Sequence, residues 1–128
     1  MRVPAPVIGF VVLAGLVAAP AIARHLTKVP VATPVGAPVS CLTLSQIRET
    51  AVRSDTIIDF RTNGKKWYRN TLPHACPSLG FEESFGYATS MSQLCNVDVI
   101  TVLRSGAMTQ GPSCGLGQFQ PVELSKTR

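Results

Sequence analysis

The sequence predicts a mainly β domain, with β-rich α+β as a variant. It is either a small disulfide-stabilised barrel or a curved antiparallel sheet of about five strands. Three observations point there. Short runs rich in β-branched and aromatic residues recur between turn signals, as at Thr56–Thr62, Lys65–Leu72 and Asp98–Leu103. Asn63-Gly64 stands between the first two runs, and this dipeptide favours a tight hairpin because it tolerates positive φ. Four cysteines occur without any C-x-x-C, which suits disulfides better than a zinc ribbon or a thioredoxin-type redox pair.

The chain divides into four parts. Residues 1–23 read as an export signal: Met1-Arg2 is positive, Val7–Ala19 is apolar, Pro20 ends the run, and Ala21-Ile22-Ala23 is the small-x-small pattern cleaved by signal peptidases. An uncleaved anchor is the alternative, because no charge falls between Arg2 and Arg24. Residues 24–40 read as a Pro-rich flexible tether, since Pro30, Pro34 and Pro38 each remove a backbone donor. Residues 41–122 form the folded domain, and residues 123–128 a disordered tail.

Within the domain, Cys41–Val52 is readable either as a short helix carrying Leu44, Ile47 and Val52 or as a first strand. Thr56–Thr62 and Lys65–Leu72 form the hairpin. A two-residue turn at Asn63-Gly64 pairs Thr62 with Lys65, and so places Phe60 opposite Trp67 and Asp59 opposite Tyr68. Pro73 and Pro77 bracket a loop with His74 and Cys76. Phe81–Thr89 reads as a strand showing Phe85, Tyr87 and Thr89 on one face. Asp98–Leu103 is another, Ser105–Ser113 is loop, and Leu116–Val122 is a last strand presenting Phe119.

An exported chain favours disulfides over metal. The expected pairing is Cys76–Cys95 with Cys41–Cys114, the second bridge fastening the start of the domain to its last strand. Cys41–Cys76 with Cys95–Cys114, and Cys41–Cys95 with Cys76–Cys114, remain open.

A net charge of +5 invites a nucleic-acid reading, but the charges are badly placed for it. Between Cys41 and Val122 the basic residues Arg48, Arg53, Arg61, Lys65, Lys66, Arg69 and Arg104 face the acids Glu49, Asp55, Asp59, Glu82, Glu83 and Asp98. The domain is close to neutral, and no nucleic acid is expected as a partner. A membrane enters only if the signal stays uncleaved. Arg61, Lys65, Lys66, Trp67 and Arg69 gather around the hairpin and form a candidate ligand surface for an anion or a single strand, the alternative being a solvated hairpin tip. No cofactor and no metal are expected. Catalysis has one candidate, a small hydrolase using His74 with a nearby carboxylate. The serines sit in no G-x-S-x-G, and an even cysteine count predicts no free thiol.

One set of residues carries a resemblance. It comprises Asp55, Ile57, Phe60 and Gly64, then Tyr68-x-Asn70-x-Leu72, Cys76-Pro77-x-Leu79 and Phe85-x-Tyr87. It continues with Leu94-Cys95-x-x-Asp98-x-Ile100-x-Val102 and Cys114-x-Leu116-Gly117-x-Phe119-x-Pro121-Val122. The set resembles an uncharacterised family of small exported bacterial proteins, a domain of unknown function, over most of residues 41–122. The resemblance implies an exported location and a compact cysteine-bearing domain, and it carries over no activity and no catalytic residue. The reading that results is a non-enzymatic periplasmic or secreted protein with a binding or structural role, its partner an envelope protein or a small ligand.

Overall fold

In the computed structural model, residues 29–89, 91–105 and 110–126 are described, together with the single residues 4, 6, 9 and 15. Apart from those four residues, the expected export signal lies outside the described residues. The strands are β1 (Ala32–Pro34), β2 (Cys41–Thr43), β3 (Ile47–Val52), β4 (Ile57–Thr62), β5 (Trp67–Thr71), β6 (Phe85–Tyr87), β7 (Gln93–Cys95), β8 (Val99–Leu103), β9 (Gln110–Gly115) and β10 (Phe119–Leu124). One short helix, α1 (Leu79–Glu82), precedes β6. The fold is mainly β, as its β-forming runs require. Pairing is antiparallel throughout, in sheets ordered β1-β10-β5-β4-β3, β6-β8-β9 and β2-β7. The five-stranded sheet keeps β1 and β3 as edges, so the barrel alternative does not form.

The core sits on one face of that sheet. Ile58 and Phe60 of β4 and Phe119 of β10 are fully buried, and they meet Leu42, Leu72, Leu79, Leu94, Ile100, Val102 and Leu116. Phe60 packs edge-on against Phe119, with ring centres 5.4 Å apart and planes at 73°. It also meets Phe85 at 6.4 Å. Such edge-to-face pairs add to the area that they bury.

The hairpin forms with a different register. Its turn has three residues, Asn63–Lys65, closed by the Thr62 amide donating to the Lys66 carbonyl at 2.8 Å. Positive φ falls at Gly64 (74°) and Lys65 (61°), one residue later than a two-residue turn would place it. Phe60 is therefore opposite Tyr68, Asp59 opposite Arg69, and Arg61 opposite Trp67. A one-residue slip moves a side chain to the other face of a sheet. Here it takes Trp67 off the core face, leaves Phe60 to Phe119 and Phe85, and places a cation across from Asp59.

The expected tether is folded from Pro30 onward. Strand β1 pairs with β10 through Ala32↔Leu124, Thr33↔Glu123 and Pro34↔Val122. Val39 and Phe119 exchange two backbone hydrogen bonds of 2.9 Å. Proline is tolerated at a sheet edge, where its missing donor faces away from the ladder, so Pro30 and Pro34 mark an edge strand here. The tail is shortened in the same way: Glu123 and Leu124 belong to β10. Cys41–Val52 holds two strands around a 3₁₀ turn at Leu44–Gln46. Residues 110–113 of the expected loop lie in β9, and α1 occupies the start of the expected Phe81–Thr89 strand.

The bridges are Cys41–Cys95 and Cys76–Cys114, the third of the possible connectivities, and not Cys76–Cys95 with Cys41–Cys114. The reason is topological. Strands β2 and β7 pair with Cys41 directly across from Cys95. The chain ends, which a Cys41–Cys114 bridge was to fasten, are held by the β1–β10 ladder. One side-chain lock completes the frame. Asn70, fully buried, donates to the Gly117 carbonyl at 2.7 Å and accepts from the Gly117 amide at 2.8 Å. A Cβ on Gly117 would run into the Thr71 carbonyl oxygen.

Candidate functional site

The tip of the β4–β5 hairpin stands beside β10, and the space between them is a groove of about 370 Å³. The ladder explains why it opens there. Strands β5 and β10 pair only as far as Trp67↔Val122, whereas β10 runs on to Leu124. Beyond Trp67 the chain turns away into Lys66 and the Asn63–Lys65 turn. The gap is lined by Lys65, Lys66, Trp67 and Tyr68 from the hairpin, by Pro121, Val122 and Glu123 from β10, and by Val35 and Gly36 after β1.

Of the sequence-derived ligand surface, Lys65, Lys66 and Trp67 come together in this groove. Neither lysine forms an ion pair with a described carboxylate. The other two cations are committed elsewhere. Arg61 Nε meets Glu49 Oε2 at 2.9 Å across the β3–β4 ladder. Arg69 donates from Nε to Asp59 Oδ1 at 2.8 Å and from Nη2 to Asp59 Oδ2 at 3.0 Å. Arg53 Nε completes the cluster at 3.0 Å from Asp59 Oδ2. Asp59 is fully buried, on the sheet face away from the core, so its charge requires both partners. Arg53 also covers Trp67, its guanidinium carbon 5.8 Å from the centre of the indole ring.

The groove residues missed in the sequence are Val35, Gly36, Tyr68, Pro121, Val122 and Glu123. Val35, Gly36 and Glu123 lie in the expected tether and tail, and Tyr68, Pro121 and Val122 in expected strands whose place at the groove depends on pairing. The available signal was the proline pair Pro34 and Pro121, each compatible with an edge or partly paired strand.

His74 lies exposed in the bend after β5, outside the groove, and no hydrogen bond joins it to a described residue. Several of the candidate carboxylates hold the backbone instead. Asp55 Oδ1 accepts from the Gly80 amide at 2.7 Å, Asp98 Oδ2 from the Cys95 amide at 2.7 Å, and Glu82 Oε2 from the Ser105 amide at 3.2 Å. Cys76, two residues on in the sequence, is bridged to Cys114, and no described cysteine is free. Among the described residues no three metal-ligating side chains converge, and no helix is long and apolar enough to cross a membrane. Two disulfides in so short a chain suit an oxidising compartment.

No known protein family matches this chain, and no curated protein or solved structure matches it either.

Proposed function

We propose that the protein is an exported, non-enzymatic binding domain of the periplasm or the extracellular space, and that its ligand site is the groove between the hairpin tip and β10. The observation that carries this reading is the convergence of Lys65, Lys66 and Trp67 on one concave surface, with neither lysine ion-paired among the described residues. Concave sites with an apolar wall and a few convergent charges are where small ligands bind. The two ammonium groups supply charge for a carboxylate or phosphate, while Trp67, Pro121 and Val122 supply apolar surface for the body that carries it. The ligand class is therefore a small organic anion.

Export is supported by the Ala21-Ile22-Ala23 pattern and by both disulfides. The intact mass of protein recovered from its host should correspond to a chain beginning at Arg24; a chain still beginning at Met1 would favour the anchor.

The binding claim is tested with phenyl phosphate as probe. Trp67 is the only tryptophan, so emission reports on the groove directly. Saturable change in that emission, weakened severalfold by Lys65→Gln with Lys66→Gln, supports the reading. Emission that stays flat at millimolar probe counts against it.

A further inference from the structure

The aromatic wall of the groove is backed by a fixed charge. Arg53 lies over the Trp67 indole at 5.8 Å, yet it is not among the residues that line the groove. It is anchored by Asp59, which is fully buried and accepts from Arg53 Nε at 3.0 Å. Asp59 is itself gripped by two bonds from Arg69, whose Nη2 also donates to the Pro30 carbonyl at 2.9 Å. Two arginines around one aspartate leave the cluster with one excess positive charge.

A ring face attracts a cation through its quadrupole. When one cation is already seated against that ring, a second meets like-charge repulsion across a distance of only several ångströms. Lys65 and Lys66 add two more positive charges at the groove, against the single carboxylate of Glu123. We propose that Arg53 is a positioning and specificity-determining residue of this site: it sets the indole of Trp67 and makes the groove select aromatic or alkyl anions over cations of the same shape, quaternary ammonium groups included. Asp59 acts only through Arg53. This inference rests on the reading of the groove as a ligand site.

The test uses the single tryptophan again, now as the one indole N–H peak in a ¹H–¹⁵N spectrum of the disulfide-bonded protein. Phenyl phosphate and benzyltrimethylammonium serve as probes of like size and opposite charge. Phenyl phosphate should shift the Trp67 peak, and the ammonium probe should bind at least about fivefold more weakly, within the roughly two- to thirtyfold range that one unit charge about 8 Å away gives between bulk water and a protein surface. Arg53→Met leaves Asp59 both of its bonds to Arg69, which protects the fold. It should narrow the preference by about the same fivefold factor. Arg53→Lys keeps the charge and replaces the broad guanidinium by a compact ammonium; it should retain the preference while moving the unliganded indole peak. Equal binding of the two probes by the parent protein overturns the proposal while leaving the groove as a binding site. An unchanged preference in Arg53→Met does the same. If neither probe moves the Trp67 peak, the groove reading itself fails, and this inference with it.

Discussion

Replacing Asp59 by alanine removes a carboxylate that accepts three charge-assisted hydrogen bonds: two from Arg69 at 2.8 and 3.0 Å and one from Arg53 at 3.0 Å. Bonds to charged groups contribute about 1.5–3 kcal/mol each, which sets a gross loss of about 5–9 kcal/mol. The net loss is smaller because the arginines can partly rehydrate. Their side chains are 22% and 13% exposed for Arg53 and Arg69, against 0% for Asp59. Arg69 is the more enclosed and would be left with the Pro30 carbonyl alone. Breaking a buried pair by removing one partner costs about 3–5 kcal/mol, and that range is expected here. A small domain is stable by about 5–15 kcal/mol in total, so the variant should stand near its threshold. Urea unfolding with the disulfides intact is the suitable assay, since guanidinium would screen the cluster. With a slope of about 1–1.5 kcal/mol/M, the midpoint should fall by about 2–5 M. A loss under about 1 kcal/mol would refute the argument, because it would mean that the arginines find other partners and that Asp59 does not hold Arg53 over Trp67.

Other outcomes follow from the same structure. Gly117→Ala forces a Cβ into the Thr71 carbonyl and loosens both Asn70 bonds; it should cost about 3 kcal/mol or more, read as a lower thermal midpoint. Gly64→Val, at φ 74°, should cost about 1–2 kcal/mol in the same assay, and an unchanged midpoint would contradict the three-residue turn. Non-reducing peptide mapping should recover Cys41–Cys95 and Cys76–Cys114. Loops of 54 and 38 residues give about 4 kcal/mol per bridge in the loop-entropy account, so reduction should leave the domain largely unfolded.

The mainly β character was legible because β-formers and turn residues act locally: Ile57, Ile58 and Phe60 before Asn63-Gly64 need no distant partner to be read. Register was not. Whether the turn has two residues or three depends on what lies across the ladder. Asp59 gains Arg69 as its cross-strand neighbour only in the longer turn. The cysteine pairing failed for the same kind of reason. It depends on β7, a three-residue strand too short to show periodicity, and on the β1–β10 ladder, which already secures the chain ends. The candidate site was half legible. Lys65, Lys66 and Trp67 are adjacent in sequence and stay together. Arg61 and Arg69 look identical to them in a charge count, but Glu49 and Asp59 claim those two across strands. The Val35–Gly36 rim and Glu123 come from stretches that read as tether and tail, whereas Pro121 and Val122 fell in the expected last strand, where nothing local showed that β1 would pair alongside.

The central claim is that ligand chemistry resides in the groove between the hairpin tip and β10. Mapping backbone amide shifts of the disulfide-bonded protein against added phenyl phosphate tests it most directly. Saturable shifts should be confined to residues 35–36, 65–68 and 122–123, where the chain lines the groove and retains an amide hydrogen. Shifts centred on His74 and the loop around it, with the groove silent, would contradict the account and move the search to the hydrolase reading.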